Sequence, residues 1–107
     1  MKHPAFGDSI VSGGLEFPAC WVRCRATASF KPGEVLVRIE AEGAPDPLPF
    51  FVDSELVDPS ELRRDQEVEA RVKVMFLGHE PGRLVVEVPG EPVSFGPRIL
   101  VRESLWS

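Results

Sequence analysis

Side chains that do chemistry are scarce in this chain. Two histidines, two cysteines and no tyrosine occur among its 107 residues. Catalysis would need a nucleophile, a base or a metal set converging on one point. His3 and His79, the latter in a Gly/Pro-rich segment, stand at no recognisable spacing from a cysteine or carboxylate partner. Cys20 and Cys24 are four apart, the wrong spacing for a redox C-x-x-C pair, and no second ligand pair accompanies them for zinc. On an extended segment their Cα atoms would lie roughly 13 Å apart at about 3.3 Å of rise per residue, well beyond the disulfide limit of about 7 Å. Both are expected to be reduced thiols, with Cys24 inside. A phosphate-cradling glycine loop is also missing. The expectation is a non-enzymatic chain with no cofactor and no metal.

Long apolar runs are missing too. A spanning helix needs roughly 20 consecutive apolar residues, so no membrane partner is expected. Lys2 is followed by no apolar core of a secretory signal, which makes a cytoplasmic location the default. A composition of 43% hydrophobic and 27% charged residues places the chain among globular proteins, and its length suits one domain. The net charge of −5 is unevenly spread. Residues 40–69 hold ten acids against Arg63 and Arg64, whereas the flanking parts are mildly basic. That distribution argues against whole-surface attraction to nucleic-acid phosphates.

What is present is alternation. From Glu67 to Phe76, Val68, Ala70, Val72, Val74 and Phe76 take every second position, with charged residues at most positions between them. Successive strand side chains point to opposite faces, so this pattern specifies a strand with one dry face and one wet one. It is the expected centre of the fold. Trp21 to Phe30 repeats the pattern, with Val22, Cys24, Ala26, Ala28 and Phe30 inward and Trp21, Arg23, Arg25, Thr27 and Ser29 outward. Lys31-Pro32-Gly33-Glu34 is a turn signal, after which Val35, Val37 and Ile39 resume an inward face to complete a hairpin.

Three prolines in residues 43–49 read as a surface loop, followed by a short strand at Phe50-Phe51-Val52. Asp58, Pro59 and Glu61 supply the cap, first-turn proline and third-position acid of a helix start, which predicts a short helix over 59–64. A loop containing Gly78, His79, Pro81 and Gly82 then leads to Leu84–Val88, with Leu84, Val86 and Val88 inward. Pro89 to Pro92 turns the chain into a last strand at Arg98–Arg102. Residues 1–19, broken by prolines and glycines, suit an irregular arm or an edge strand, leaving 20–107 as a single domain. Five or six short strands and one minor helix predict an all-β barrel or sandwich.

Residues 50–88 carry a further likeness. Phe50, Phe51 and Val52, then Ser54, Glu55 and Leu56, then Asp65-Gln-Glu-Val-Glu-Ala-Arg-Val72 resemble the second half of an S1-type or related OB-like small barrel. In that family the first of these runs is an aromatic strand and the last a strand that begins a hairpin. The likeness implies an OB-like barrel, with an SH3-like barrel as the alternative. The family's glycine before the strand is replaced by Asp65-Gln66, and its basic residues here are largely acidic. It therefore implies little about nucleic acid.

Candidate binding residues follow from the outward positions Trp21, Arg23, Arg25, Arg38, Arg71 and Lys73, with Met75 on the same face. An exposed tryptophan among arginines anchors protein interfaces and also stacks nucleobases. A competing reading has the N-terminal arm covering Trp21 with Phe6, Ile10, Leu15 or Phe17. Leu36, Val85 and Leu100 also fall outward and ask for a cover. Glu40, Glu42, Asp53, Glu55, Asp58 and Glu61 form the candidate acidic patch. The expected function is a protein-interaction module of adaptor, inhibitor or immunity type. The alternative is an OB-like domain binding single-stranded nucleic acid, and self-association is a further option.

Overall fold

A computed structural model describes residues 8–92 and 96–107. Nine strands account for nearly all its regular structure: β1 Ser9–Ser12, β2 Leu15–Ala28, β3 Glu34–Ile39, β4 Leu48–Asp53, β5 Val57–Asp58, β6 Val68–Glu80, β7 Arg83–Glu87, β8 Glu91–Pro92 and β9 Arg98–Arg102. Two single turns of 3-10 helix occupy Ser54–Leu56 and Glu103–Leu105. The fold is all-β and barrel-like.

The path across the sheet is β8-β4-β3-β2-β6-β7-β9, with every pairing antiparallel. Strands β2, β3 and β4 follow one another as a meander, and β6 then returns by a long connection to lie beside β2. This spatial order is that of a Greek key. Val22 faces Val72 and Cys20 faces Val74 across the central pair. Their side chains join Val37, Ile39, Phe50, Leu84, Val86 and Val101 in one fully buried cluster. The alternation therefore does what its period demands, and the core is the common inner face of a curled sheet.

The curl brings the ends of the sheet together. Strand β7 leads through Val88, Pro89 and Gly90 straight into β8, which pairs with Phe50 and Phe51 on the far edge of β4. At that corner a Cβ on Gly90 would overlap the Phe51 carbonyl oxygen, so only glycine fits. The loop after β3 adds a second tie, the Glu42 N–H donating to the Leu100 carbonyl at 2.8 Å. Strand β3 leaves β2 after the Arg25 to Arg38 pair. The C-terminal segment fills the vacated edge, Trp106 bridging to Val22 and the Ser107 N–H donating to the Trp21 carbonyl at 2.9 Å.

Several sequence expectations need correction. No helix forms at 59–64. Asp58 instead ends β5, where it faces Arg71, and the Arg63 carbonyl accepts from the Ala28 N–H at 3.2 Å and from the Thr27 hydroxyl at 2.9 Å. Those bonds hold the segment along the end of β2, and one or two isolated helical turns cannot compete with them. The helical turn that does form lies earlier, at Ser54–Leu56, where the Asp53 carboxylate accepts from the Glu55 N–H at 3.0 Å.

Phe30, expected inside, is 89% exposed. Strand β2 ends at Ala28, and beyond it alternation no longer dictates a face. The Arg64 guanidinium lies 5.5 Å from the Phe30 ring centroid. Pro49 belongs to β4 rather than to a loop, beside an edge on which β8 pairs only at Phe50 and Phe51. The expected loop at 78–82 shrinks to the two-residue turn Pro81-Gly82, with Gly82 at φ +76°. His79 therefore lies on β6, past a register shift between Phe76 and Gly78. At the other end β2 begins at Leu15 and runs unbroken through Ala19 and Cys20, and β1 pairs along it as an edge strand, one of the two forms expected for residues 1–19. Residues 1–7, including His3 and Phe6, lie outside the described residues.

Candidate functional site

The outer face of β2, β3 and β6 carries the candidate binding residues, as their alternation with the buried set requires. In register Trp21 faces Lys73, Arg23 faces Arg71 and Arg25 faces Glu69 across β2 and β6, and Arg25 faces Arg38 across β2 and β3. All six candidates thus occupy one continuous face. Met75 belongs to it by position, opposite Ala19, yet it is 6% exposed. The β1 hairpin folds over that end, so that Ile10, Phe17 and Leu56 pack with Ala19 and Met75 in a second small apolar cluster. The hairpin's cover therefore settles one outward position beyond Trp21. Leu15 stands exposed at the hairpin end, and Phe6 is outside the described residues.

Trp21 is half-buried, with the Arg71 guanidinium 4.7 Å from its ring centroid. Arg71 in turn donates through Nε to Asp58 Oδ2 at 2.9 Å. Asp58, expected as part of an acidic patch, is thus the partner that steadies the arginine over the tryptophan. A cation above an indole face is attracted by the ring quadrupole, and the bond to Asp58 limits the orientations the guanidinium can take. Lys73, beside Trp21 in register, has no ion pair among the described residues.

Further along the face, one carboxylate joins two strands. Glu67 Oε1 accepts from Arg25 Nε at 3.1 Å and Glu67 Oε2 accepts from Arg38 Nη1 at 2.7 Å. Arg23 meets no carboxylate among the described residues; its Nη2 donates to the Ser104 carbonyl at 2.6 Å and so fastens the C-terminal turn. Glu67, which joins the two arginine-bearing strands, was not among the sequence candidates. Its position just before the alternating run is a weak signal that only the register makes legible.

The six acids do not come together. Asp53 pairs with Glu34 at one end of β3, while Glu40 follows its other end, about 20 Å away at about 3.3 Å per residue. Glu40 is bound to Arg102 at 2.7 Å and Glu42 to Arg83 at 2.8 Å, so their charge is locally offset. Glu55 and Glu61 are exposed.

Cys20 and Cys24 are free and buried on the inner face. Burial pushes both thiols up to about 12, which leaves them neutral and poorly nucleophilic near neutral pH. Among the described residues, no group of three or more His, Cys, Asp or Glu side chains is placed to hold a metal ion. Comparison with known proteins returns no matching family model, no similar curated protein and no matching solved structure.

Proposed function

We propose that this chain is a non-enzymatic protein-interaction module whose contact surface is the outer face of β2, β3 and β6, with Trp21 as its anchor. The observation that carries this reading is the stacked and braced trio of Trp21, Arg71 and Asp58. Tryptophan and arginine are the residue types that most often dominate protein interfaces, and side chains already held in place lose less freedom on binding. Interleaved acids speak for a protein over a nucleic acid. Glu67, Glu69 and Asp58 sit among the arginines, and a phosphate backbone would meet them as well as the cations. Adaptor, inhibitor and immunity-type roles all fit a compact module of this kind, working in the cytoplasm.

Affinity capture with the wild-type chain and with Trp21→Ala tests the proposal, using Glu80→Gln at the β6–β7 turn as a surface control. A protein retained by the wild type and the control but lost by Trp21→Ala is the expected result. Labelled single-stranded DNA and RNA are titrated in parallel at about 50 and about 200 mM salt. Oligonucleotide binding that weakens steeply with salt and disappears in Trp21→Ala would replace this reading with the nucleic-acid one.

A further inference from the structure

A cleft of about 310 Å³ opens where β3 parts from β2 and the C-terminal turn enters the gap. Arg23, Arg25 and Arg38 line it, and Cys24, Ala70 and Leu105 give it apolar wall. We infer that this cleft is a binding site for a small organic carboxylate, its charged end among the guanidinium groups and its short apolar body against Cys24, Ala70 and Leu105.

Glu67 shows which group the arginines accept. Its carboxylate takes one guanidinium on each oxygen, Arg25 at 3.1 Å and Arg38 at 2.7 Å, although all three side chains stay substantially exposed. Two guanidinium groups from neighbouring strands are thus already spaced for a carboxylate, the planar anion that arginine pairs with best. Arg23 brings a third, its Nη2 donating to the neutral Ser104 carbonyl. The acids at the cleft do not cancel this. Glu40 is held by Arg102 from outside the lining, and counting Arg23, Arg25, Arg38 and Arg102 against Glu40, Glu67 and Glu69 leaves one surplus positive charge, matching a monoanion. The volume lies at the low end of ligand pockets, which run from about 300 to 1,000 Å³, and so suits a small molecule rather than a polymer. The cleft shares Arg23, Arg25 and Arg38 with the proposed contact face, but a small ligand and a local readout test it without any protein partner, so the two readings can fail separately.

Titration of the whole chain with isobutyrate at low ionic strength, followed by two-dimensional amide NMR, tests it. Saturable shifts at Ala70 and Leu105 are expected. Arg23→Gln should weaken binding at least about tenfold, the usual consequence of losing a charge-assisted bond. Glu67→Gln removes the resident carboxylate and should tighten binding several-fold, while Arg64→Gln, which loses only its contact with Phe30 in the segment between β5 and β6, should change nothing. Shifts that never saturate, or an affinity for inorganic phosphate equal to or above that for isobutyrate, would overturn the inference. If Arg23→Gln loosens the C-terminal turn, Glu67→Gln decides alone, and unchanged or weaker binding in that variant overturns it.

Discussion

Two glycines separate the reasons for which this fold needs the residue. Gly43 has φ +83° and open space where a Cβ would go, so its requirement is purely conformational. Gly90 has no unusual φ, but a Cβ there would run into the Phe51 carbonyl at the corner where the sheet closes. Gly43→Ala should cost about 1 kcal/mol. Gly90→Ala should cost roughly 3 kcal/mol or more, because backbone rather than a movable side chain must yield. Urea denaturation of the two variants gives the comparison, and equal losses would mean that the corner is looser than described. The cysteines make a different demand. Burial raises their thiol pKa from 9.0 to about 12, so between those values the unfolded chain releases protons that the folded chain keeps. Stability must then fall as pH rises through that window. Without tyrosine, cysteine and the three lysines are the side chains that titrate there. Unfolding midpoints measured from pH 8 to pH 11 should drop more steeply in the wild type than in the Cys20→Ala/Cys24→Ala double variant.

At the scale of the element, alternation made the strands legible and failed where something other than period decides. Val22, Cys24 and Ala26, like Val72 and Val74, sit on the inner face that two-residue spacing assigns them. Phe30 continues the same spacing and is exposed, because its strand has already ended. Asp58, Pro59 and Glu61 look like a helix start, since capping chemistry is local and the sequence does not display that the end of β2 waits for the Arg63 carbonyl. Met75 shows a related limit of periodicity. Its outward position is right, but the cover supplied by the β1 hairpin depends on a long-range return that periodicity cannot express. The tether is open to test through Thr27→Val, which keeps the side-chain shape and removes one hydrogen bond to Arg63. A loss of about 1 kcal/mol is expected, with faster hydrogen exchange confined to residues 59–66. Slower exchange there would mean that the hydroxyl opposes the observed path instead of holding it.

For the molecule as a whole, the sharing of strand edges around a curled sheet rather than strand content sets the design. Strand β2 is shared along its length among four partners, with β6 on one edge and β1, the C-terminal segment and β3 in succession on the other. The candidate face was legible because outward positions follow from the same period as the core. The cleft beside it was not, because it exists only where β3 leaves and Leu105 arrives. Trp106 is the residue on which that seam depends. It stacks on Phe76 with ring centroids 5.8 Å apart, packs against the main core and bridges to Val22. Trp106→Ala should remove roughly 2–4 kcal/mol of stability, in the range for truncating a large, partly buried side chain. The location of the damage is more informative than its size. Hydrogen exchange should quicken at Trp21 to Cys24 and at the C-terminal turn, while the β3 and β4 amides keep their protection. Uniform loss across all strands would instead show that seam and barrel open as one unit.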